Sequence, residues 1–197
     1  MTRILAHLSA FNVLVLLTTF VVGWLSFAFG SRANQADSTY PLHVFLGLLA
    51  GTTSLGVHCF IFIYFLGTGR WVKEVAIAYR IPDDPLPKLT RTLKRKTFPP
   101  ALFAMLIVIA TTMVGAWVAT STTARGPDAT RWWPWPVHAG LATLSLLVNV
   151  WASFVEYRAV AVNGKVIDDV MREVDRIRAE RGLPSNEEAL RQEQEVT

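Results

Sequence analysis

Residues 41–68 read PLHVFLGLLAGTTSLGVHCFIFIYFLGT, a stretch with no lysine, arginine, aspartate or glutamate. A helix rises about 1.5 Å per residue, so about 20 residues cross a hydrocarbon core of roughly 30 Å, and this segment is long enough to span a bilayer. Three more segments carry almost no charge: Ile4–Gly30, Phe98–Ser121 and Trp133–Tyr157, the last span extending to about residue 160. A surface helix of a soluble bundle carries polar residues on one whole face, and these four segments do not. Across the 197 residues, 52% are hydrophobic and only 17% charged. The sequence therefore predicts an all-α, polytopic membrane four-helix bundle.

The charges outside the spans set an expected orientation. Arg3 precedes the first span, the connection 69–97 carries eight basic residues against three acids, and the tail beyond Glu156 carries seven more. The other two connections hold only Arg32, Arg125 and Arg131. Sixteen against three places both termini and the basic loop 69–97 on the cytoplasmic side of a bacterial-type inner membrane. The first segment exceeds the apolar core of a signal peptide and is read as a retained span. Tyr40, Trp132, Trp133 and Trp135 sit at the outer ends of spans two and four, as an aromatic belt does. The basic loop reads as a contact for anionic lipid, with docking of a soluble partner as the alternative. The tail 161–197 reads as an amphipathic helical extension, with Ile167, Val170, Met171, Val174 and Ile177 on one stripe. Ser185 and Glu188 then form a capping box that opens a short polar helix.

The chain also repeats itself. An offset of 95 lays Pro41-Leu42-His43 over Pro136-Val137-His138, Gly69-Arg70 over Gly164-Lys165 and Glu74-Val75 over Asp169-Val170. An offset of 93 lays Thr18-Thr19-Phe20-Val21 over Thr111-Thr112-Met113-Val114 and Trp24 over Trp117. Two copies of a helical hairpin, 1–97 and 98–197, follow. Each copy has two spans, so both insert the same way around an expected pseudo-two-fold axis along the membrane normal.

Periodicity shows what faces that axis. Steps of about 3.6 residues from His43 give Gly47, Ala50, Ser54 and His58, and from His138 they give Ala142, Ser145, Asn149, Ser153 and Glu156. Both faces are small or polar; small-residue faces serve close helix packing in membranes. Ionisable residues at membrane depth are costly, which makes the histidines candidate functional groups. His43 and His138, symmetry mates near the outer ends of spans two and four, can supply both axial ligands of a b-type haem. Gly47 and Ala142 leave room for a macrocycle, and Ser54 and Asn149 can hydrogen-bond a bound group. Read without a cofactor, the same pair is interfacial, each two residues after a helix-starting proline. Copper or zinc fits less well, because two imidazoles leave the coordination shell short. Glu156, the one carboxylate inside the segments, is expected as a snorkelling or ion-paired boundary residue beside Arg158.

His58 lies 15 residues, or about 22 Å, below His43 on the same helix face. Two histidines so spaced on spans two and four resemble the cytochrome b type of membrane protein, in which two helices hold stacked haems. The resemblance implies one haem between spans two and four and raises a second on His58. The repeat mate of His58 is Ser153, which cannot ligate iron; His7 is the substitute. The alternatives for His58 are a hydrogen-bonded bundle residue or part of a quinone pocket.

The expected function is an integral membrane electron-transfer subunit that exchanges electrons with quinol or a partner subunit, as part of an oxidoreductase complex if redox-active. The alternatives are a cofactor-free anchor or assembly subunit, possible as a homo-oligomer, and a small channel or carrier lined by Ser54 and Asn149. Other classes are excluded at this stage. The single Cys59 permits no internal disulfide, Cys-x-x-Cys pair or covalent haem motif. The net charge of +4 sits where it orients spans, and no nucleic-acid motif accompanies it. There is no phosphate loop, HExxH or GxSxG.

Overall fold

The computed structural model describes residues 1–29, 37–120 and 134–195. Trp132, Trp133, Arg32, Arg125 and Arg131 lie outside the described residues. The elements are α1 (Thr2–Ala28), α2 (Thr39–Tyr79), α3 (Leu86–Thr120), α4 (Pro134–Glu180) and α5 (Asn186–Glu195). No strand occurs among the described residues. Helices α1 to α4 are each long and apolar enough to cross a membrane, and the protein is a multi-pass membrane bundle.

Two compact units form: Met1–Phe62 with Thr97–Tyr157, and Ile63–Lys96 with Arg158–Thr197. Each takes part of both sequence repeats.

The first unit is apolar outside, as a lipid solvent demands, and mixed inside, where an apolar cluster of Ala104, Ile107, Val148 and Ala152 lies beside buried polar side chains. On α1, Leu5, Ser9, Asn12 and Val15 recur at helical spacing and are buried, while Phe11, Leu14, Leu17 and Trp24 are exposed. The inward faces of α2 and α4 carry Ala50, Ser54 and His58, and Ser145, Asn149, Ser153 and Glu156, all buried as periodicity predicts. Phe45, Leu48, Leu147 and Phe154 face outward. Burial of apolar surface from water does not hold such helices together in lipid, so close packing and interhelical hydrogen bonds do. Thr53 and Ser54 on α2 both donate to Asn12 Oδ1 on α1, at 3.0 and 2.9 Å. Thr19 Oγ1 donates to the Leu46 carbonyl at 3.1 Å.

The second unit has an ordinary hydrophobic core: Val72, Ala76, Ile81, Val166, Val170 and Val174 are buried, with Ile167 and Ile177 packed against them. Of the stripe expected in the tail, Ile167, Val170, Val174 and Ile177 belong to this core, Val166 joins them, and Met171 does not. Asn163, fully buried, donates to Tyr64 Oη at 3.1 Å and to its own repeat mate Thr68 at 3.2 Å.

The basic stretch 69–97, expected as a loop, is helical except at 80–85: α2 runs to Tyr79 and α3 starts at Leu86. A high density of Lys and Arg reads as a connection by composition, yet here the charges are solvated faces of helices. Arg70 pairs with Glu74 and Lys88 with Asp84 at one-turn spacing. Asp83 at the remaining turn is held below the usual carboxylate range by its hydrogen bond from Arg91. Helix α3 passes through Pro99 and Pro100, giving up two backbone donors where the sequence had suggested a start.

The capping box is present. Ser185 N donates to Glu188 Oε2 at 2.9 Å, and Glu188 N donates to Ser185 Oγ at 3.3 Å. The Ser185 backbone N–H holds the Glu188 carboxyl below its ordinary range. A carboxyl lowered in the folded state stabilises α5 above its unfolded pKa, and that support disappears as pH falls through the lowered value. Protection of the α5 amides, measured against intrinsic exchange at each pH, is thus expected to fall on acidification, and Ser185→Ala to lower it already at pH 7. Equal exchange in wild type and Ser185→Ala would refute the cap's role.

Candidate functional site

Near the start of α2 and of α4, His43 and His138 face each other with ring centroids 6.0 Å apart and planes at 73°. Each ring is held the same way. His43 Nδ1 lies 3.1 Å from the Thr19 carbonyl of α1, and His138 Nδ1 lies 3.2 Å from the Thr111 carbonyl of α3. A carbonyl can only accept, so both Nδ1 atoms carry the proton, and in the neutral ring both Nε2 atoms keep a lone pair. A carbonyl on the far nitrogen is the usual outer support of an imidazole ligand.

Each ring also lies against a glycine. A Cβ on Gly23 would sit 2.7 Å from His43 Cε1, and one on Gly115 would sit 2.8 Å from His138 Cε1. Any other residue there would displace the imidazole. Sequence reading missed these two glycines. The repeat carried the signal at an offset of 92, which pairs Thr19 with Thr111 and Gly23 with Gly115. Alignment of threonines and tryptophans favoured 93 instead.

Below the pair is a cavity of about 180 Å³, lined by all four helices. Its walls include Gly47, Gly51, Ala116, Ala142 and Ser145. Gly47 and Ala142 stand where the sequence placed them, one turn from each histidine.

Ser54, Asn149 and His58 do not join that cavity. They belong to a second, buried polar cluster. His58 Nδ1 lies 2.6 Å from Glu156 Oε1, and its Nε2 lies 3.0 Å from Asn149 Oδ1. Ser54 reaches Asn12 instead. His58, Glu156 and Asn149 are all fully buried. Glu156 is therefore not a snorkelling boundary residue: one turn from Ala152 and Ser153, its α4 position faces inward, where His58 partners it. Both His58 nitrogens are engaged by side chains. His7 is exposed on α1, with Nδ1 on the Arg3 carbonyl of its own helix, while His58 is fully buried. Among the described residues no three His, Cys, Asp or Glu side chains gather as metal ligands.

The chain matches no known family model, no curated protein and no solved structure. Fold and site thus define its class directly: a multi-pass membrane helical bundle with a duplicated, inward-facing histidine site.

Proposed function

We propose that the protein is an integral membrane electron-transfer subunit that holds one b-type haem between α2 and α4, with His43 and His138 as axial ligands. The observation that carries this reading is the 6.0 Å separation of the two rings. The paired Nδ1–carbonyl bonds leave Nε2 as the ligating atom on both rings and fix their orientation. The cavity of about 180 Å³ takes only part of a macrocycle. Gly47, Gly51, Ala116 and Ala142 are the small residues of its lining that would adjoin a larger group.

A haem so ligated supplies one-electron transfer at its iron. The chain's own part is to present two neutral imidazoles, hold them by α1 and α3, and surround them with apolar side chains that exclude water. Exchange of electrons with quinol or a further subunit belongs to the same proposal. So does the orientation with both termini at the cytoplasmic face of a bacterial-type inner membrane, which the sixteen-to-three distribution of basic residues supports.

A second reading has its own observation. The Nδ1–carbonyl bonds tie α2 to α1 and α4 to α3, which a cofactor-free anchor subunit would also use. Visible spectroscopy of the purified protein separates the two. The haem reading expects a Soret band that sharpens on dithionite reduction, one haem per chain, lost in His43→Ala and in His138→Ala. No band after reconstitution with haemin, or full haem content in both variants, overturns it and leaves the anchor.

A further inference from the structure

Around His58 the hydrogen-bond pattern fixes where protons are. Asn149 Nδ2 donates to the Ser145 carbonyl at 2.9 Å, which turns Oδ1 toward His58 Nε2. Oδ1 can only accept, so Nε2 carries a proton. The 2.6 Å contact between His58 Nδ1 and Glu156 Oε1 then needs one more proton between them. Whether it resides on nitrogen or oxygen, the pair is neutral overall. Neutrality is what allows a histidine and a carboxyl to share a fully buried position in a membrane bundle.

The cluster is not closed. Glu156 Oε2 is buried and has no hydrogen-bond partner. The same is true of Ser153 Oγ, three residues earlier on α4, and of Ser9 Oγ and Asn12 Nδ2 on α1. Asn12 is held to Ser54, one turn from His58. Buried polar atoms are satisfied in nearly every protein, and a set left open in one unit marks a place for water or a proton carrier.

The geometry points to His58 and Glu156 as a protonatable centre inside the membrane, which releases and rebinds one proton through Glu156 Oε2. On release, His58 is neutral with its proton on Nε2 and Glu156 is a carboxylate; on rebinding, the proton returns between Nδ1 and Oε1. No redox partner enters this exchange, and it goes beyond the haem reading without depending on it.

Few other ionisable groups stand near the pair: Arg158, two residues after Glu156, is exposed, and Tyr64, six residues after His58, is buried with its Oη accepting from Asn163. Of the other ionisable groups described in this unit, Arg3 and His7 on α1, Cys59 on α2 and Tyr157 on α4 are exposed. Tyr40 and His43 are more than a dozen residues up α2, Asp37 precedes that helix, and His138 is equally distant on α4. Helix α3 presents none between Thr97 and Thr120.

The test is infrared difference spectroscopy of the full chain in lipid nanodiscs, with carbon-13-labelled glutamate, as pH is stepped between about 4 and 10. One glutamate signal that responds to pH, protected from bulk exchange, is expected in wild type. It should vanish in Glu156→Gln and persist in the His43→Ala, His138→Ala double variant. In His58→Gln the carboxyl should remain and titrate at least tenfold away in proton affinity. A wild-type spectrum without a protected glutamate signal, or one unchanged in both Glu156→Gln and His58→Gln, overturns the proposal. Failure of the haem reading leaves these outcomes untouched.

Discussion

Replacing His58 by alanine is expected to destabilise the protein by about 3–5 kcal/mol, the loss typical when one partner of a buried ion pair is removed. Glu156 would then be left with neither oxygen partnered, since Oε2 already lacks a partner in the wild type. Asn149 Oδ1 would lose its donor as well. The double variant His58→Leu, Glu156→Leu should recover most of that loss, because it removes both desolvated groups and leaves apolar side chains of similar volume. Unfolding midpoints in mixed detergent micelles, measured for the two single variants and the double, decide the matter. A His58→Ala protein within about 1 kcal/mol of wild type would mean that the pair does not form in the membrane.

If His43 and His138 hold a haem as proposed, replacing Gly23 or Gly115 by alanine is expected to weaken its binding at least tenfold, about 1.4 kcal/mol. The added carbon would meet Cε1 of the facing histidine at 2.7 or 2.8 Å, well inside van der Waals contact. Neither ring can retreat freely, because each Nδ1 is bonded to the same neighbouring helix that carries the glycine. The two effects should be similar in size, since the two contacts are. Gly56→Ala is the control: nothing lies within 4 Å of a Cβ there. Haemin titration followed at the Soret band reads all three. Unaltered affinity in both Gly23→Ala and Gly115→Ala would separate the imidazole geometry from haem binding.

The parts of this protein readable along the chain are those governed by solvent and by helical period. Four apolar segments had to be spans, because no soluble arrangement buries them. The faces of α2 and α4 followed from 3.6-residue spacing, and the pairing of His43 with His138 from the repeat. Direct contacts between α2 and α4 keep that register: Thr68 with Asn163 differ by 95 residues, and His58 with Asn149 and Glu156 by 91 and 98. The capping box at Ser185 was equally local.

Other features depend on which helix stands beside which. Whether 69–97 was a loop could not be read from its charges, since a solvated helix face and a polar connection share a composition. The role of Glu156 depended on a histidine 98 residues away, and near the edge of its own segment it looked like a boundary residue. Gly23 and Gly115 had no local distinction among the twelve glycines; only the approach of an imidazole from the next helix gives each its purpose. Sequence alone thus determined the membrane, the spans and the symmetric pair, because bilayer solvation and helical period act residue by residue. Tertiary structure decided which nitrogen His43 and His138 leave open and which histidine partners the buried carboxyl, because hydrogen bonds between helices depend on distances the chain does not encode locally.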